Sequence, residues 1–300
     1  MKNQKLNVAF LGSGRIGIDL LIKAMRSENL YCSMVAGRNY ESSGMRLAKE
    51  KGVQVSDRGI EAIWGKKAEI DLVFDATSAL DHLKHWEILK DSHIKVIDMT
   101  PSRIGREIVP TVNLNEVYKH QNINMISCGG QVSIPLVHAV SEVTDEIDYI
   151  EIVSSIASKS AGPATRDNID EYIYATERAI LAFSQAKEAK KILILNPAEP
   201  PINMQSTVSF LVKNPNMVRI EARVIDMVKK VKKYVPGYEL LVGPVQVDEG
   251  QIIIMVKIEG LGDCLPPYAG NLDIITSTAI AVAENVALTK SIKNNLTLQN

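Results

Sequence analysis

A glycine-rich turn close to the N-terminus restricts the fold more than any other part of the chain. The apolar segment 6–11 is typical of a buried strand, and it leads directly into Gly12-Ser13-Gly14-Arg15-Ile16-Gly17. When such a turn joins a strand to a helix, its glycines permit a tight bend, close approach of a pyrophosphate and close helix–strand packing. The pattern predicts a Rossmann-type domain with a dinucleotide at the positive end of the helix. The alternative is a glycine-rich turn of an α/β protein that binds no dinucleotide.

The first half of the chain alternates short apolar runs with helical patterns, which is typical of βαβ units and a parallel sheet. After the first strand, the pattern predicts helices over residues 16–26 and 43–51, and strands over residues 31–36, 72–74, 95–98 and 124–127. Ligands of open α/β sheets gather outside the carboxyl ends of the strands. Cys128 directly follows the last of these strands, so its position favours a site.

The second half of the chain has a different pattern. It predicts strands over residues 149–157 and 191–195, helices over residues 169–187 and 216–234, and a hairpin of strands 239–247 and 251–259. This mixture indicates an α+β domain rather than a continued Rossmann sheet. A last helix, over residues 273–288, could pack on either domain.

Composition and charge argue against several classes of partner. The formal net charge of −1, with no basic stripe carrying aromatic residues, argues against nucleic acid. No apolar stretch approaches the length of a membrane span, and the first residues lack a secretory cleavage site, so no membrane partner is expected. The three cysteines, at positions 32, 128 and 264, lack disulfide or zinc spacing. These features predict a soluble, reduced, cytoplasmic protein.

The histidines predict no metal site. His82 and His85 lie three residues apart on a helical pattern. A solvated helix face is the interpretation that we favour, because no set of carboxylates and histidines accompanies them.

Cys128 is the candidate nucleophile. Its neighbours Gly129 and Gly130 leave room for an acyl group, and their N–H groups near a helix start could stabilise a thiolate and an oxyanion. A thiol combined with a hydride acceptor suggests oxidation of an aldehyde held as a thiohemiacetal, or the reverse reduction of a thioester. The alternative is a buried structural cysteine. Cys32 is expected in the core of a strand, and Cys264 is the less favoured nucleophile.

Arg38 bears on the choice of dinucleotide. The second strand ends in Ala36-Gly37-Arg38-Asn39, where an acid would normally accept the adenosine ribose hydroxyls. An arginine suits a 2′-phosphate, so both NAD and NADP are open. Alternatively, Arg38 stacks on the adenine or faces solvent.

The chain closely resembles the acylating acetaldehyde dehydrogenases that partner 4-hydroxy-2-oxoacid aldolases. The resemblance covers essentially the whole sequence, and its motifs occur in order. The matching stretches are Gly12-Ser13-Gly14 with Ile16-Gly17, Val73-Phe74-Asp75-Ala76-Thr77-Ser78, Cys128-Gly129-Gly130-Gln131, Ser158-Lys159-Ser160-Ala161-Gly162-Pro163, Asn196-Pro197-Ala198-Glu199-Pro200-Pro201, Tyr234-Val235-Pro236-Gly237-Tyr238 and Tyr268-Ala269-Gly270-Asn271-Leu272-Asp273.

The resemblance implies an α/β fold in which the C-terminal helix completes an N-terminal Rossmann domain. The expected dinucleotide-binding domain comprises residues 1–127 with 269–300, and residues 128–268 form an α+β domain for substrate binding and dimerisation. The resemblance also implies a homodimer and, as a further partner, a class II 4-hydroxy-2-oxoacid aldolase subunit.

The resemblance further implies how the residues act. The Cys128 thiolate would add to a short aldehyde, hydride would leave to NAD or NADP, and coenzyme A would take the acyl group as co-substrate. Coenzyme A and the aldolase follow from the resemblance alone. The expected cofactor-binding residues are Gly12, Ser13, Gly14, Arg15, Ile16, Gly17, Arg38, Thr77, Ser160, Ala161, Gly162, Pro163, Ala164, Thr165, Arg166, Asp167, Asn168 and Asn271.

Three features depart from the family pattern. Ser206 stands where the family has an aspartate that is thought to act as a base towards the cysteine. The segment 243–259 is shorter than usual, and Arg38 replaces the usual acid. Because a hydroxyl is no comparable base at neutral pH, another group or a lowered thiol pKa must serve. From the sequence, Ser206→Asp is expected to raise the rate of aldehyde oxidation near neutral pH.

These departures leave three functions open. The one that we favour is oxidation of a short aldehyde to acyl-CoA. The second is a paralogue that reduces an acyl thioester, bound to CoA or to a carrier, to an aldehyde in a specialised pathway. The third is a catalytically weak structural subunit of an aldolase complex.

Overall fold

The chain divides into two compact units. The structure is a computed structural model that describes the backbone of residues 5–297, and their side chains apart from those of residues 163, 164 and 292–297. Residues up to Met125 and those from Thr276 onward form the first unit, and Ile126–Ile275 form the second.

The first unit contains seven strands and the helices between them. The strands are β1 (Leu6–Leu11), β2 (Leu30–Ala36), β3 (Gln54–Ser56), β4 (Leu72–Asp75), β5 (Lys95–Asp98), β6 (Arg106–Glu107) and β7 (Asn122–Asn124). The helices are α1 (Arg15–Met25), α2 (Ser43–Glu50), α3 (Ile60–Gly65), α4 (Ala79–Leu89) and α5 (Pro110–Asn113), followed by a 3₁₀ helix at Leu114–Lys119.

All neighbouring strands of this sheet run parallel, in the order β3-β2-β1-β4-β5-β7-β6. The order reverses direction between β1 and β4, and ligands bind outside the carboxyl ends of strands at such a point. Both strands are buried, and Phe10 on β1 stacks on Phe74 of β4 with 5.3 Å between the ring centroids. The Rossmann fold that the glycine turn predicted is confirmed.

The second unit is built on a mixed five-stranded sheet. Its elements are α6 (Cys128–Ser141), β8 (Ile147–Ala157), a 3₁₀ helix at Ser158–Ser160, α7 (Pro163–Asp167), α8 (Ile169–Ala182), β9 (Ala186–Asn196), β10 (Met204–Val212), α9 (Met217–Lys232), β11 (Tyr238–Asp248), β12 (Gln251–Ile258) and the start of α10 (Gly270–Thr297). The strand order is β11-β12-β10-β8-β9, with β8 and β9 parallel and the other pairs antiparallel. The predicted α+β character is confirmed.

One face of this second sheet carries the apolar core of its unit. Inward residues of the strands, among them Ile150, Ile152 and Phe210, form one buried cluster with residues of α6 and α9. The hydroxyl of Tyr238 donates to the carbonyl of Val132 at 2.8 Å, which satisfies the polar end of a fully buried ring. The sheet and α6 are therefore firmly joined within this unit.

Two misplaced boundaries and one strand that was not predicted bear on the candidate site. The strand expected at 124–127 is β7, Asn122–Asn124, because Ile126 has a φ of 65°, which no strand residue adopts. The helix expected to reach residue 187 ends at Ala182, because the chain from Ala186 onward pairs with β8 over its length. Strand β10 was not predicted, since the polar Ser206 interrupts its inward row of Met204, Val208 and Phe210.

The last helix corrects a further expectation. Residues Gly270–Ser291 form a helix that is long and apolar enough to cross a membrane by length and composition, which the sequence analysis did not anticipate. However, 61% of its most apolar window is buried, as in a core helix. Within the first unit, Thr276 on this helix donates to Asp19, and Asn29 donates to Glu284 at 2.6 Å.

Candidate active site

The geometry of the glycine turn fits a dinucleotide. Gly12 has a φ of 99°, and a Cβ there would lie 2.6 Å from the carbonyl oxygen of Ala76, after β4. A Cβ on Gly17 would overlap the carbonyl oxygen of Gly12, so α1 packs against the turn only because glycine stands there. A Cβ on Gly14, in contrast, would meet no atom within 4 Å. Two glycines are therefore needed for packing, and the third leaves open space at the N-terminus of α1.

Polar side chains lie beside this turn at the end of β2. The hydroxyl of Ser13 lies 3.0 Å from that of Ser42, which caps α2 by accepting from the N–H of Met45 at 3.3 Å. Arg38 is 91% exposed, and the nearest acid contact of its guanidinium is Asp81 at 3.9 Å. An exposed ion pair at this distance holds the guanidinium only weakly, so Arg38 can turn towards a ligand.

A buried charge network fixes the end of β4. Both His82 and His85 of α4 contact the same oxygen of Asp75 through Nδ1, at 2.9 and 2.8 Å. The expectation of a solvated face is therefore wrong, because a buried carboxylate needs partners and these two rings supply them. Thr77 donates to the other oxygen of Asp75 at 2.5 Å, which holds the loop after β4.

Charges within this network shift each other's pKa. Burial alone would raise the pKa of Asp75, but hydrogen bonds from His82 and His85 outweigh it and hold that pKa well below its usual range. Burial alone would lower the pKa of His82, but the bond to Asp75 and the charge of Asp98 raise it. Burial raises the pKa of Asp98 to about 6. The residues described contain no cluster of three or more histidine, cysteine or acidic side chains placed to hold a metal ion.

The other predicted cofactor residues belong to the second unit. Arg166 is tied to its own loop, since Nε donates to the carbonyl of Ala161 and Nη2 to that of Ser158, each at 3.0 Å. The side chains of Pro163 and Ala164 lie outside the described part of the chain. Asn271 is buried, and within the described residues its Oδ1 accepts no hydrogen bond. Such an orphaned acceptor fits a donor from a bound ligand, for instance a carboxamide.

A strained turn presents Cys128. Ile126 adopts the left-handed region, which is costly for a β-branched residue, and Ser127 then caps α6 by accepting from the N–H of Gly130 at 2.9 Å. Cys128 is thus the first residue of α6, where free N–H groups and the helix dipole favour negative charge. Gly129 and Gly130 lie in the first turn of this helix, in agreement with the expected position of their N–H groups near a helix start.

The glycines make room for two side chains that face the thiol. A Cβ on Gly129 would overlap the hydroxyl of Tyr172 and lie 3.1 Å from Cε of Lys191. The hydroxyl of Tyr172, on α8, lies 3.9 Å from Sγ of Cys128. Gly129 therefore lets a phenol and an amine approach the candidate nucleophile.

Lys191 belongs to a series of hydrogen-bonded polar side chains on the otherwise apolar inner face of the sheet. Its Nζ donates to the hydroxyl of Ser154 on β8, which lies 2.5 Å from the hydroxyl of Ser206 on β10. The Nζ also lies 5.9 Å from the centroid of the Tyr172 ring. All four side chains are buried. Ser206 is thus connected to the thiol region through Ser154 and Lys191.

The electrostatics of the thiol and the amine oppose each other. Burial raises the pKa of Cys128, while the Tyr172 hydroxyl, the charge of Lys191 and nearby backbone N–H groups act to lower it. Burial lowers the pKa of Lys191 to about 7, and the thiolate charge counteracts this only in part. Near neutral pH the thiol is therefore held in its protonated form, while neutral and protonated forms of the Lys191 amine are both populated.

The other two cysteines have different surroundings. Cys32 lies on β2 and is partly rather than fully buried, and burial raises its pKa to about 12. Cys264 is exposed. A thiol with so high a pKa is a poor nucleophile, and neither residue begins a long helix.

Comparison with known proteins agrees with the division of the chain into two units. Residues 128–266 match a family model described as prokaryotic acetaldehyde dehydrogenase, dimerisation. The chain is 52% identical over 287 residues to an acetaldehyde dehydrogenase of Pectobacterium atrosepticum, an alignment that covers 95% of this chain and 97% of that protein. The chain belongs to the acetaldehyde dehydrogenase family.

Other acetaldehyde dehydrogenases are similarly close. That of Spirochaeta aurantia is 50% identical over 282 residues, covering 94% of this chain and 95% of that protein. That of Geobacillus stearothermophilus is 47% identical over 285 residues, covering 94% and 96%. The family that the sequence motifs predicted is confirmed. Membership, with the Rossmann sheet, implies a nicotinamide cofactor, and the matched dimerisation region supports a dimer.

The sequence patterns did not indicate Tyr172, Ser154 or Lys191 as members of this candidate site. A signal for Lys191 was present, because it shares the inward phase of β9 with Ala189 and Leu193, and a lysine in an apolar row stands out. The predicted strand began only at residue 191, so Lys191 stood at its first position and the alternation with Ala189 was not recognised.

Proposed function

We propose that this chain is an acylating aldehyde dehydrogenase that oxidises a short aldehyde to acyl-CoA with Cys128 as its nucleophile. The observation that carries the proposal is the position of Cys128, at the first residue of α6 with a phenol and a buried amine beside it. Such surroundings supply what a reactive thiol requires, namely a positive helix end and a nearby group that exchanges protons. The names of the relatives support acetaldehyde as the substrate.

The reaction uses groups that this chain provides. The Cys128 thiolate adds to the aldehyde carbon, a carbon–sulfur bond forms, and the carbonyl oxygen becomes the hydroxyl of a thiohemiacetal. Free N–H groups at the start of α6 stabilise the oxyanion that develops during addition. A bound nicotinamide dinucleotide would accept hydride from the thiohemiacetal carbon, and loss of the hydroxyl proton to solvent would leave a thioester. Coenzyme A then displaces Cys128 through its own thiol, and the Cys128 thiolate is regenerated.

The residues proposed to hold the dinucleotide fit that ligand. Gly14 leaves open space at the start of α1, so a pyrophosphate can approach the backbone N–H groups there. Asn271 offers a buried acceptor for an amide donor. We extend the proposal to NADP, because no carboxylate ends β2 and the exposed Arg38 can pair with a 2′-phosphate.

The proposed oligomer is a homodimer formed through the second unit. The outer face of its sheet exposes Ile192 and Ile194 on β9, and Leu241, Val245 and Val247 on β11. An apolar face of this kind is typical of a permanent subunit interface. The aldolase subunit remains a prediction from the resemblance, tested by co-purification.

The decisive test combines turnover with detection of the acyl-enzyme. The purified chain is assayed with acetaldehyde, coenzyme A and each nucleotide, and then with acetyl-CoA and reduced nucleotide. We expect turnover by the wild type and none by Cys128→Ala, while nucleotide binding measured by calorimetry is unchanged. Without coenzyme A, mass spectrometry should find a thioester on Cys128.

Matched controls and contrary outcomes complete the test. Cys264→Ala removes another thiol and should keep full activity. An adduct on Cys264 or Cys32, with an active Cys128→Ala variant, would overturn the assignment. Turnover only from the acyl thioester would favour the reductase, and none in either direction would favour the structural subunit.

A further inference from the structure

We propose that Lys191 accepts the proton of the Cys128 thiol and holds the resulting thiolate as an ion pair, the role expected of an acid at position 206. The inference rests on the proposed function, since it concerns how the same thiol is activated. In the step, the S–H bond of Cys128 breaks and an N–H bond forms at Nζ of Lys191. The thiolate then adds to the aldehyde.

The placement of Lys191 is unusual for a lysine. It is 1% exposed, on the inward row of β9 among Ala189, Leu193 and Leu195, which pack against the apolar core. Burying an ammonium among apolar side chains is costly unless it is paired. Within the described part of the chain, no carboxylate lies within 4 Å of its Nζ. Such a position has no structural advantage over a leucine, so a function in the site explains it better.

Three neighbouring strands each contribute one polar residue to the same spot. Lys191 on β9, Ser154 on β8 and Ser206 on β10 interrupt otherwise apolar inward rows, and Ser154 and Ser206 are directly paired across the sheet. The serines form a hydrogen-bonded chain that ends on Nζ of Lys191. These hydrogen bonds hold the Lys191 amine on the side of the sheet where α6 presents Cys128. The amine can approach Cys128 there because Gly129 has no side chain that would separate them.

The ionisable groups that face the amine are few. Helix α6 supplies Cys128, and α8 supplies Tyr172. Glu177 of α8 accepts from the backbone N–H of Lys191 at 2.9 Å and lies 3.7 Å from Nζ of Lys190. Strands β8 and β10 contribute only the two serines. The Cys128 thiol is therefore the ionisable group whose negative charge, once formed, acts on the Lys191 amine.

The surroundings lower the free-energy cost of proton transfer, because the two charges that it creates stabilise each other. Burial lowers the pKa of Lys191 to about 7, so the neutral amine is available near neutral pH. Once formed, the ammonium attracts the thiolate, and the Tyr172 hydroxyl and the start of α6 donate to the sulfur. The Tyr172 ring, 5.9 Å from Nζ, adds a cation–π attraction.

This arrangement reverses the expectation for Ser206→Asp. A carboxylate at position 206 would lie next to Ser154 and pair with Lys191. That pairing raises the pKa of the amine and keeps it protonated, so it no longer accepts the thiol proton. We therefore expect Ser206→Asp to lower the rate near neutral pH. Adding Lys191→Ala to it, which leaves an acid and no lysine, should restore activity.

The direct test measures the ionisation of the Cys128 thiol without any substrate. The rate of alkylation of Cys128 by iodoacetamide is followed against pH by peptide mass spectrometry, which separates the three cysteines. In Lys191→Met, which keeps the length of the side chain, we expect the thiol pKa to rise and alkylation at pH 7 to slow about ten-fold or more. The matched control is Lys190→Met on the exposed side of the same strand, which should leave the profile unchanged.

The outcomes separate this inference from the proposed function. An unchanged alkylation profile in Lys191→Met would overturn the role of Lys191, even if the thioester still forms on Cys128. A shifted profile without a thioester in the wild type would support the role of Lys191 and contradict the dehydrogenase. If Lys191→Met does not fold, as judged by circular dichroism, the same profile is measured in Ser206→Asp. A thiol pKa that stays unchanged or falls in that variant would equally contradict the proposal.

Discussion

Arg38 is a single residue on which the nucleotide preference is expected to depend. We predict that Arg38→Asp shifts the relative affinity about ten-fold or more from NADP towards NAD, as expected from losing one charge-assisted hydrogen bond of about 1.5–3 kcal/mol. The introduced carboxylate can in addition accept the ribose hydroxyls. Calorimetric titration of both proteins with both nucleotides measures the shift.

A matched control tests whether charge alone is responsible. Lys51 lies at the opposite end of α2 and is also exposed, so Lys51→Asp makes the same change of charge away from the end of β2. It should leave the ratio of the two affinities unchanged. The same ratio in wild type and Arg38→Asp would show that the arginine points away from the ligand.

Among single residues, the sequence predicted those whose role follows from the local backbone conformation, such as the glycines of the first turn. Glycine is required at positions 12 and 17, because a Cβ at either position would collide with a carbonyl oxygen. Lys191 could not be found in the same way, since its contacts with Ser154 and Tyr172 join three separate elements. Long-range pairing of side chains has no signature in one sequence.

Among the elements, α4 is joined to β4 by the contacts of His82 and His85 with Asp75. The raised pKa of His82 gives a stabilising contribution that is complete below about pH 6.5 and is lost as the pH rises through the raised value. The lowered pKa of Asp75 gives one that is complete above about pH 4 and is lost as the pH falls. Asp98, whose pKa burial raises to about 6, adds a contribution that is complete below about pH 4 and is lost as the pH rises from about 4 to 6.

We therefore predict that stability is greatest near pH 4, falls as the pH drops below that value, and falls again as the pH rises through 6 and beyond. At pH 6, His82→Gln should lower the free energy of unfolding by about 1–3 kcal/mol, because Asp75 loses a charged hydrogen bond in a buried position. Urea denaturation at a series of pH values measures both effects. His93 is exposed, and His93→Gln should change the free energy by less than about 0.5 kcal/mol. A flat pH profile would contradict the charged state of the network.

Element types were predicted better than element boundaries. The βαβ alternation gave β1, β2, β4 and β5 because each is a continuous apolar run between helical patterns. Strand β10 was not predicted because the buried Ser206 breaks its apolar alternation. The predicted helix α8 extended into β9 because pairing with β8 ends the helix, and the local sequence pattern contains no sign of that pairing.

For the whole molecule, the exposed outer face of the second sheet predicts how copies of the chain associate. Ile194→Asp places a charge on the proposed interface, where it would be buried without a partner. We expect the dimer to dissociate at concentrations where the wild type remains dimeric, as measured by sedimentation. Leu80 is 72% exposed in the first unit, so Leu80→Asp provides the control and should leave the dimer intact. A dimeric Ile194→Asp would place the interface elsewhere.

The three polar inward residues on β9, β8 and β10 also bear on how pseudoenzymes are recognised. Side chains from nearby strands of one sheet can reach the same small volume, so a proton acceptor can move from one strand to another in evolution while the reacting thiol keeps its surroundings. A comparison that inspects only position 206 would score this chain as inactive, because it finds a serine there. Loss of an acid in one alignment column is therefore weak evidence for lost catalysis until the facing columns of neighbouring strands have been inspected for a new base.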